Sequence, residues 1–544
     1  MAKSDLSIDL LGTVVTISTD EEEGYLKKLL DKYKRTVENV HQKSGLKDPL
    51  KVAVLTGFLL SDELEKAGAK AERSSEERNT SEQSSETESP LSEESSEAEL
   101  ITLGMISRLD AALVVSSDSE KSQDKKTVAE IFKLQNSVKN YDWGSPDWIP
   151  SLIGEENKNR VPWAELWMGV NPLAPSRVLL PEEHTPDINP FLSELIAQEK
   201  EFYLGERTAR KYGTIPFLFK VLAAARPLSI QAHPNREQAE LGFERENRAG
   251  IALDSPVRNY RNSSHKPEVI CALEPFTALC GFRKVKEIIF LIEILSLCSE
   301  GETKAAFDDL LSALRLETEN PYRAFLSSLF GMGYSARGAL GPFIEAQMPM
   351  LERDFPEYKE VWEMISGLAN QYSGDPGILS PLYLNIIKLT PGEAMYLPAG
   401  VFHSYVYGLG MELMADSDNV LRGGLTSKHV DPEELERVLN FSEYIPEILK
   451  IQDPAPGWFR YPTPTEEFSL SVMSSQGDAI PYPETEASIV FFTNGSATVS
   501  VPGNSSEMVL LKGDSVFIPA GQKGNLVFYG TFTAFSASVP CASL

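Results

Sequence analysis

Cysteine is scarce: Cys271, Cys280, Cys298 and Cys541 are the only four in 544 residues, and no two stand in a CxxC spacing. That scarcity excludes a disulfide framework and a thiolate zinc site, and leaves these side chains as small buried hydrophobes. Long apolar runs are missing as well. Nothing approaches the roughly 20 residues needed to span a bilayer, and the opening MAKSDLSIDL lacks a signal peptide's apolar core. The chain therefore reads as cytoplasmic. Basic residues are outnumbered, 51 against 79 acidic ones, and the net charge of −28 repels phosphate backbones and anionic lipid. Neither nucleic acid nor a membrane is an expected partner, and a small anionic substrate needs a local basic pocket.

What is present exceeds one ordinary core: 544 residues at 42% hydrophobic content imply several domains. Residues 71–100 hold ten glutamates against two arginines, with abundant serine and few large apolar side chains. Such a stretch cannot bury enough surface to offset its ordering entropy, so a disordered tether is expected over 69–99. Before it, LSIDLLGTVVTIST reads as a strand, and Leu26, Leu29, Leu30, Tyr33, Val37 and Val40 follow at helical spacing. LKVAVLTGFLLSDELEKA reads as a second helix. After the tether, Ile101, Met105, Leu109 and Ala112 resume helical spacing as an arm over 100–115, with a linker at 116–127.

From about residue 128 the texture changes to aromatics, turn residues and short apolar strands, as in an antiparallel β-rich domain. KVKEIIFLIEILSLC, TKAAFDDLLSALRL and ERDFPEYKEVWEMISGLANQY read as amphipathic helices, a helical insert over 284–380. Strands return near YLNIIKL. A repeat then appears: GEAMYLPAGVFHSY places Gly392, Pro398, Gly400 and His403 where GDSVFIPAGQKGNL places Gly513, Pro519, Gly521 and Gly524. Two copies of one strand–turn–strand unit imply two related barrels, of which the second has lost its histidine.

Six histidines limit any metal site. His41 belongs to the N-terminal appendage and His184 to an acidic turn, leaving His233, His265, His403 and His429. In LSIQAHPN, strand alternation turns Gln231 and His233 to one face. With Glu268 and His403 they offer two imidazoles, a carboxylate and an amide oxygen, a donor set suited to zinc. Glu268 opens an apolar strand, where an unpaired carboxylate is costly to bury and a cation would neutralise it. Each of these residues alone reads as a satisfied core or surface side chain.

Three resemblances give the pieces an expected use. The N-terminal pattern, over about residues 4–115, resembles the ZapA-like family of bacterial Z-ring accessory proteins. It implies self-association through the arm and a division-protein contact; an appendage that only oligomerises the chain fits the pattern equally. The G-x5-P-x-G-x2-H spacing resembles the second cupin motif of a jelly-roll barrel. YDWGS, WAELWMG, IPFLFKVLAAARPLSIQAHPN, NSSHKPEVICAL and YLPAGVFHSYVYGLGMELMADSDNVLRGGLTSKHVD, in order across 128–544, resemble type I phosphomannose isomerases.

The last resemblance implies zinc, one ion per chain, on Gln231, His233, Glu268 and His403, and interconversion of mannose 6-phosphate and fructose 6-phosphate through an enediolate. It implies catalytic roles for Arg422, Lys266, Glu412, Asp418 and His265, and substrate contacts at Ser229, Lys428, Trp143 and Tyr405. Arg422 offers a fixed positive fork for oxyanion charge or phosphate, and Lys428 a point charge. Spacing leaves the proton acceptor open. Asn171 in GVNP stands where this family commonly has histidine, which puts a local hydrogen bond in doubt. Without catalysis, the same chain reads as a metal- or sugar-binding cupin tethered to an oligomerisation or division-associated module.

The expected fold is mainly β with a helical insert: two jelly-roll (cupin) barrels plus an α-helical domain, preceded by a small α/β module with a helical arm. The expected divisions are an α/β module at 1–68, the first barrel at 128–283 and 381–440, the insert between them, and a degenerate barrel at 441–544.

Overall fold

A computed structural model describes residues 4–10, 13–19, 36, 131–180, 189–316, 319–451, 457–500, 507–520 and 526–540. Apart from Thr36, which is helical, the helices expected in the N-terminal module lie outside these residues, as do the tether, the arm, the linker, His41, His184, Cys541, Gly521 and Gly524. The described residues fall into two units divided between Ser95 and Ser96. In the first, the segment expected as one strand forms two, Ser4–Leu10 and Thr13–Thr19, paired antiparallel from Ser4↔Thr19 to Leu10↔Thr13. Ser4–Leu10 alternates polar and apolar residues and Thr13–Thr19 is rich in β-branched ones, and both compositions suit strands.

The second unit is built on two sheets in which every ladder between the described strands is antiparallel. The larger has eleven strands around one long strand, His403–Ala415. Its first part pairs with Phe276–Phe282 and Ile230–Ala232, and its second with Phe217–Ala224 and Glu268–Ala272. The change of partner falls at Gly408, whose φ is +135° and where a Cβ would lie 2.6 Å from the Phe276 ring. Only glycine fits there, because it has no Cβ to clash. The bend lets one continuous strand serve two parts of the sheet.

The second sheet has eight strands, from Gly457–Arg460 through Ser469–Pro481, Val527–Ser538 and Ser488–Ser500 to Ser515–Ile518. Its edge departs from the expected division at 441–544. Phe132–Gln135, within the stretch assigned to the first barrel, pairs onto Ser515–Ile518 instead, and Arg177–Leu179, from the same stretch, pairs onto Phe132–Gln135 as the sheet's edge. Periodicity could not place them, since Phe132 and Leu134 are buried on the alternate positions in either sheet. They pack with Phe517, Ile489 and Phe535 in an apolar cluster that also takes Leu166, Phe217 and Phe219 from the first sheet.

Between Phe276–Phe282 and Leu384–Leu389 the chain is helical: Val285–Leu297, Gly301–Leu316, Pro321–Gly331, Tyr334–Asp354 and Lys359–Gln371. Ile288, Leu291, Ile292 and Leu295 form the buried stripe of the first of these. Asn320 starts the third by accepting the Arg323 N–H, with Pro321 at the first helical position, where its missing donor is harmless. No helix among the described residues is long and apolar enough to cross a membrane.

Candidate metal centre

His403 opens the long strand, Gln231 faces it across the ladder, and Arg422 faces Gln231 from the strand Leu421–Gly424. Directly opposed residues of an antiparallel pair project to the same face, so Arg422, Gln231 and His403 form one row. His233 follows the short strand Ile230–Ala232 by one residue, and its carbonyl accepts the N–H of Gly400 at 2.9 Å. That bond ties it to the turn before His403. Glu268 begins the strand Glu268–Ala272, opposite Met414 and Leu397.

These elements bring His233, Glu268 and His403 together with ligand atoms all within 4.8 Å of one another, each side chain buried. Both ring tautomers follow from carbonyls that can only accept. His233 Nδ1 donates to Asn419 O at 2.9 Å and His403 Nδ1 to Val401 O at 2.9 Å. In the neutral rings each Nε2 then carries a lone pair, and both face Glu268 Oε1, at 3.2 and 3.0 Å. Burial, with the Lys266 ammonium adding to it, lowers the His233 pKa to about 4, so this ring is neutral near pH 7.

Two nitrogen lone pairs converging on a carboxylate oxygen repel one another unless a cation lies among them. Glu268 Oε2 is buried without a hydrogen-bond partner, 3.4 Å from Lys266 Nζ. Two oriented imidazoles, a carboxylate and a neighbouring amide fit zinc, and the Nδ1–carbonyl bonds are the outer supports such ligands need.

The other expected residues distribute unevenly around this cluster. Lys266 is buried beside it, 3.4 Å from His233 Nε2. Tyr405, also buried, packs its ring 6.0 Å from that of His403; burial and the charges of Glu268 and Glu412 hold its hydroxyl protonated. Arg422 is partly buried, and among the described residues its guanidinium forms no hydrogen bond or ion pair. Burial and the like charge of Arg261 lower its pKa.

Trp143 stacks on Tyr141 at 5.6 Å, and the exposed Lys428 sets its ammonium 6.0 Å over the same Tyr141 ring. Asp418 is half-buried and contributes to the field at Lys139 and Tyr141. Ser229 lies half-buried just before the strand Ile230–Ala232. His265 turns elsewhere: its Nε2 is 3.0 Å from Glu467 Oε1, and Arg236 binds the same carboxylate at 2.7 Å. Asn171 fills its position by donating to Asp416 Oδ1 at 2.8 Å and accepting the Leu173 N–H at 3.0 Å.

The sequence reading missed Lys220. Its ammonium is buried 2.5 Å from Glu412 Oε2 and 3.0 Å from Glu165 Oε1, and Trp167 Nε1 donates to the other oxygen of Glu165 at 2.8 Å. Burial would discharge Lys220, but the two carboxylates outweigh it and hold it charged. Burial in turn pushes the Glu412 carboxyl above its ordinary range, against the pull of Lys220. The available signal was one lysine in the fully buried strand FLFKVLAA.

Residues 131–285 match the model of the type I phosphomannose isomerase catalytic domain. The mannose-6-phosphate isomerase of Shigella flexneri is 38% identical over 392 residues, covering 72% of this chain and 95% of that protein. The chain belongs to the type I phosphomannose isomerase family. The Homo sapiens mannose-6-phosphate isomerase is 30% identical over 423 residues, covering 73% of this chain and 95% of the relative.

Two solved isomerase structures agree. A zinc-bound mannose 6-phosphate isomerase aligns with TM-score 0.67 at 34% identity, over 76% of this chain and 100% of that one. The apo form from Salmonella typhimurium gives 0.66 at 33%, with the same coverage. Outside this isomerase portion, residues 6–101 match the model of cell division protein ZapA.

Proposed function

We propose that this chain interconverts mannose 6-phosphate and fructose 6-phosphate in the cytoplasm, using one zinc ion per chain. The observation that carries the reading is the convergence of two oriented imidazole lone pairs on the buried carboxylate of Glu268. His233, Glu268, His403 and Gln231 would hold the ion. When bound, it supplies a Lewis acid that polarises sugar oxygens beside the carbonyl.

The remaining chemistry belongs to the chain. Arg422, a guanidinium with no carboxylate partner among the described residues, seats the phosphate or the developing oxyanion charge, and Lys428 extends the positive rim. Lys266 places an ammonium where negative charge grows on the enediolate. Glu412 takes the proton from one carbon and returns it to the next, a role suited to a carboxyl raised by burial; such a base typically contributes roughly 10²- to 10⁴-fold. Asp418 tunes the field, His265 braces the segment that carries Lys266, and Ser229, Trp143 and Tyr405 line the sugar's seat.

In this reading the eleven-stranded sheet closes as the catalytic cupin barrel and the eight-stranded sheet as a degenerate one, with the helical domain inserted into the first. Residues 1–115 serve self-association or contact with a division protein. A coupled assay of the purified chain with mannose 6-phosphate, before and after chelation and again after zinc is returned, tests the proposal. Turnover that disappears and recovers supports it; a folded, zinc-loaded protein with no turnover overturns it.

A further inference from the structure

Asn419 lies between the strands His403–Ala415 and Leu421–Gly424 and is completely buried. Its amide is fully used. Oδ1 accepts the main-chain N–H groups of Arg261 at 2.8 Å and Asn262 at 3.2 Å, and Nδ2 donates to the carbonyls of Asn262 at 2.8 Å and Ser264 at 2.9 Å. The carbonyl of Asn419 itself accepts Nδ1–H of His233 at 2.9 Å. Ser417, also buried, reinforces the knot by donating to Ser264 O at 3.0 Å. The segment so held has no strand or helix of its own and runs directly into His265, Lys266, Pro267 and Glu268.

We infer that Asn419 is a positioning residue that aligns both sides of the metal centre, the ring of His233 through its carbonyl and the approach of Lys266 and Glu268 through its side chain. The inference rests on the reading of these residues as the metal and substrate site. An irregular segment entering a buried cluster has main-chain donors and acceptors that no ladder satisfies. One asparagine supplies two donor and two acceptor positions in the plane of a single amide, which stands in for the missing strand partner. Asn419→Ala leaves the Arg261 and Asn262 N–H groups and the Asn262 carbonyl without the amide, and Ser264 O held by Ser417 alone, so the segment loosens toward water rather than stay buried unsatisfied. Arg422 follows three residues later on the same stretch, so the anion seat shares this anchor.

The test uses the full-length zinc-loaded protein carrying Asn419→Ala or Asn419→Asp. In Asn419→Ala, hydrogen exchange at the amides of Arg261 and Asn262 accelerates about tenfold or more, while the strand Phe217–Ala224 keeps wild-type protection. Zinc retention against a competing chelator falls roughly 10- to 100-fold, as when an outer support of a ligand is removed. The kcat falls by on the order of 100-fold with KM within about threefold, since misplacement of Lys266 and Glu268 is felt in the transition state. Asn419→Asp keeps the acceptor half, so exchange at 261 and 262 stays near wild type, but its carboxylate opposes the carbonyls of Asn262 and Ser264 and zinc retention still falls.

A folded Asn419→Ala protein with unchanged zinc retention and unchanged exchange at 261 and 262 overturns the inference. Should that variant not fold, the equal-volume Asp variant decides it: wild-type zinc retention there overturns it equally. Zinc retention and exchange do not depend on turnover, so a wild-type chain inactive on mannose 6-phosphate would remove the functional reading alone.

Discussion

Glu268 Oε1 stands 3.0 Å from His403 Nε2 across 135 residues of sequence, and both side chains are buried. The ring's other nitrogen is committed to Val401 O, so the facing lone pair has a ligand's orientation built in. Replacing His403 by alanine is expected to reduce zinc affinity by more than the roughly 10- to 100-fold that loss of an outer support costs, and to abolish turnover, with the fold retained. Elemental analysis and circular dichroism check both halves; wild-type zinc content in the folded variant contradicts the ligand assignment.

Lys220 sits between Glu165 and Glu412, one ammonium against two buried carboxylates. Removing the positive partner leaves two uncompensated charges in the interior, which is more damaging than losing the attraction itself. Lys220→Met is expected to lose about 3–5 kcal/mol of stability in chemical denaturation. Adding Glu165→Gln and Glu412→Gln to it recovers much of that stability while turnover stays lost. Equal destabilisation of the single and triple variants would contradict the charge argument.

Glu467 links the second sheet's side of the molecule to His265 and Arg236. Burial alone would raise its pKa, but hydrogen bonds from His265 and Thr465 and the charge of Arg236 outweigh burial and bring the pKa down to about 2 from an ordinary 4.5. A carboxylate held this low stabilises the folded state above its unfolded pKa and loses that contribution as pH falls through the folded one. The stability advantage of wild type over Glu467→Gln should therefore be complete above pH 4.5 and shrink between 4.5 and about 2. Urea midpoints of the two proteins across that window measure it, and a gap that widens on acidification contradicts it.

Deleting residues 1–127 should leave turnover of mannose 6-phosphate intact and change the oligomer size in light scattering. All the residues proposed as ligands and rim lie beyond that point. Lost turnover in a well-folded truncation would show that the appendage contributes to the site.

Much of the site was legible because its signals are local. The turn before His403, the dipeptide step from Gln231 to His233 and the charged entry HKPE into an apolar strand are each set by a few neighbouring residues. The helical insert was legible for the same reason: Ile288, Leu291, Ile292 and Leu295 recur at the period of a helix whatever they pack against. The partners of short strands were not. Phe132–Gln135 buries the same alternate positions in either sheet, and its pairing with Ser515–Ile518 spans most of the isomerase portion. Likewise, nothing near His265 in sequence announces Glu467.

The sequence by itself determined which residue types could hold a cation, the spacing that groups them, and the family they belong to, because donor chemistry and periodicity are carried by each residue and its near neighbours. Only the tertiary structure decided that both imidazoles turn their Nε2 lone pairs to one carboxylate, that Lys220 is enclosed by two acids, and that Asn419 ties an irregular segment to His233. Those relations depend on register and burial between residues far apart in the chain, and such contacts form only when the whole sheet assembles.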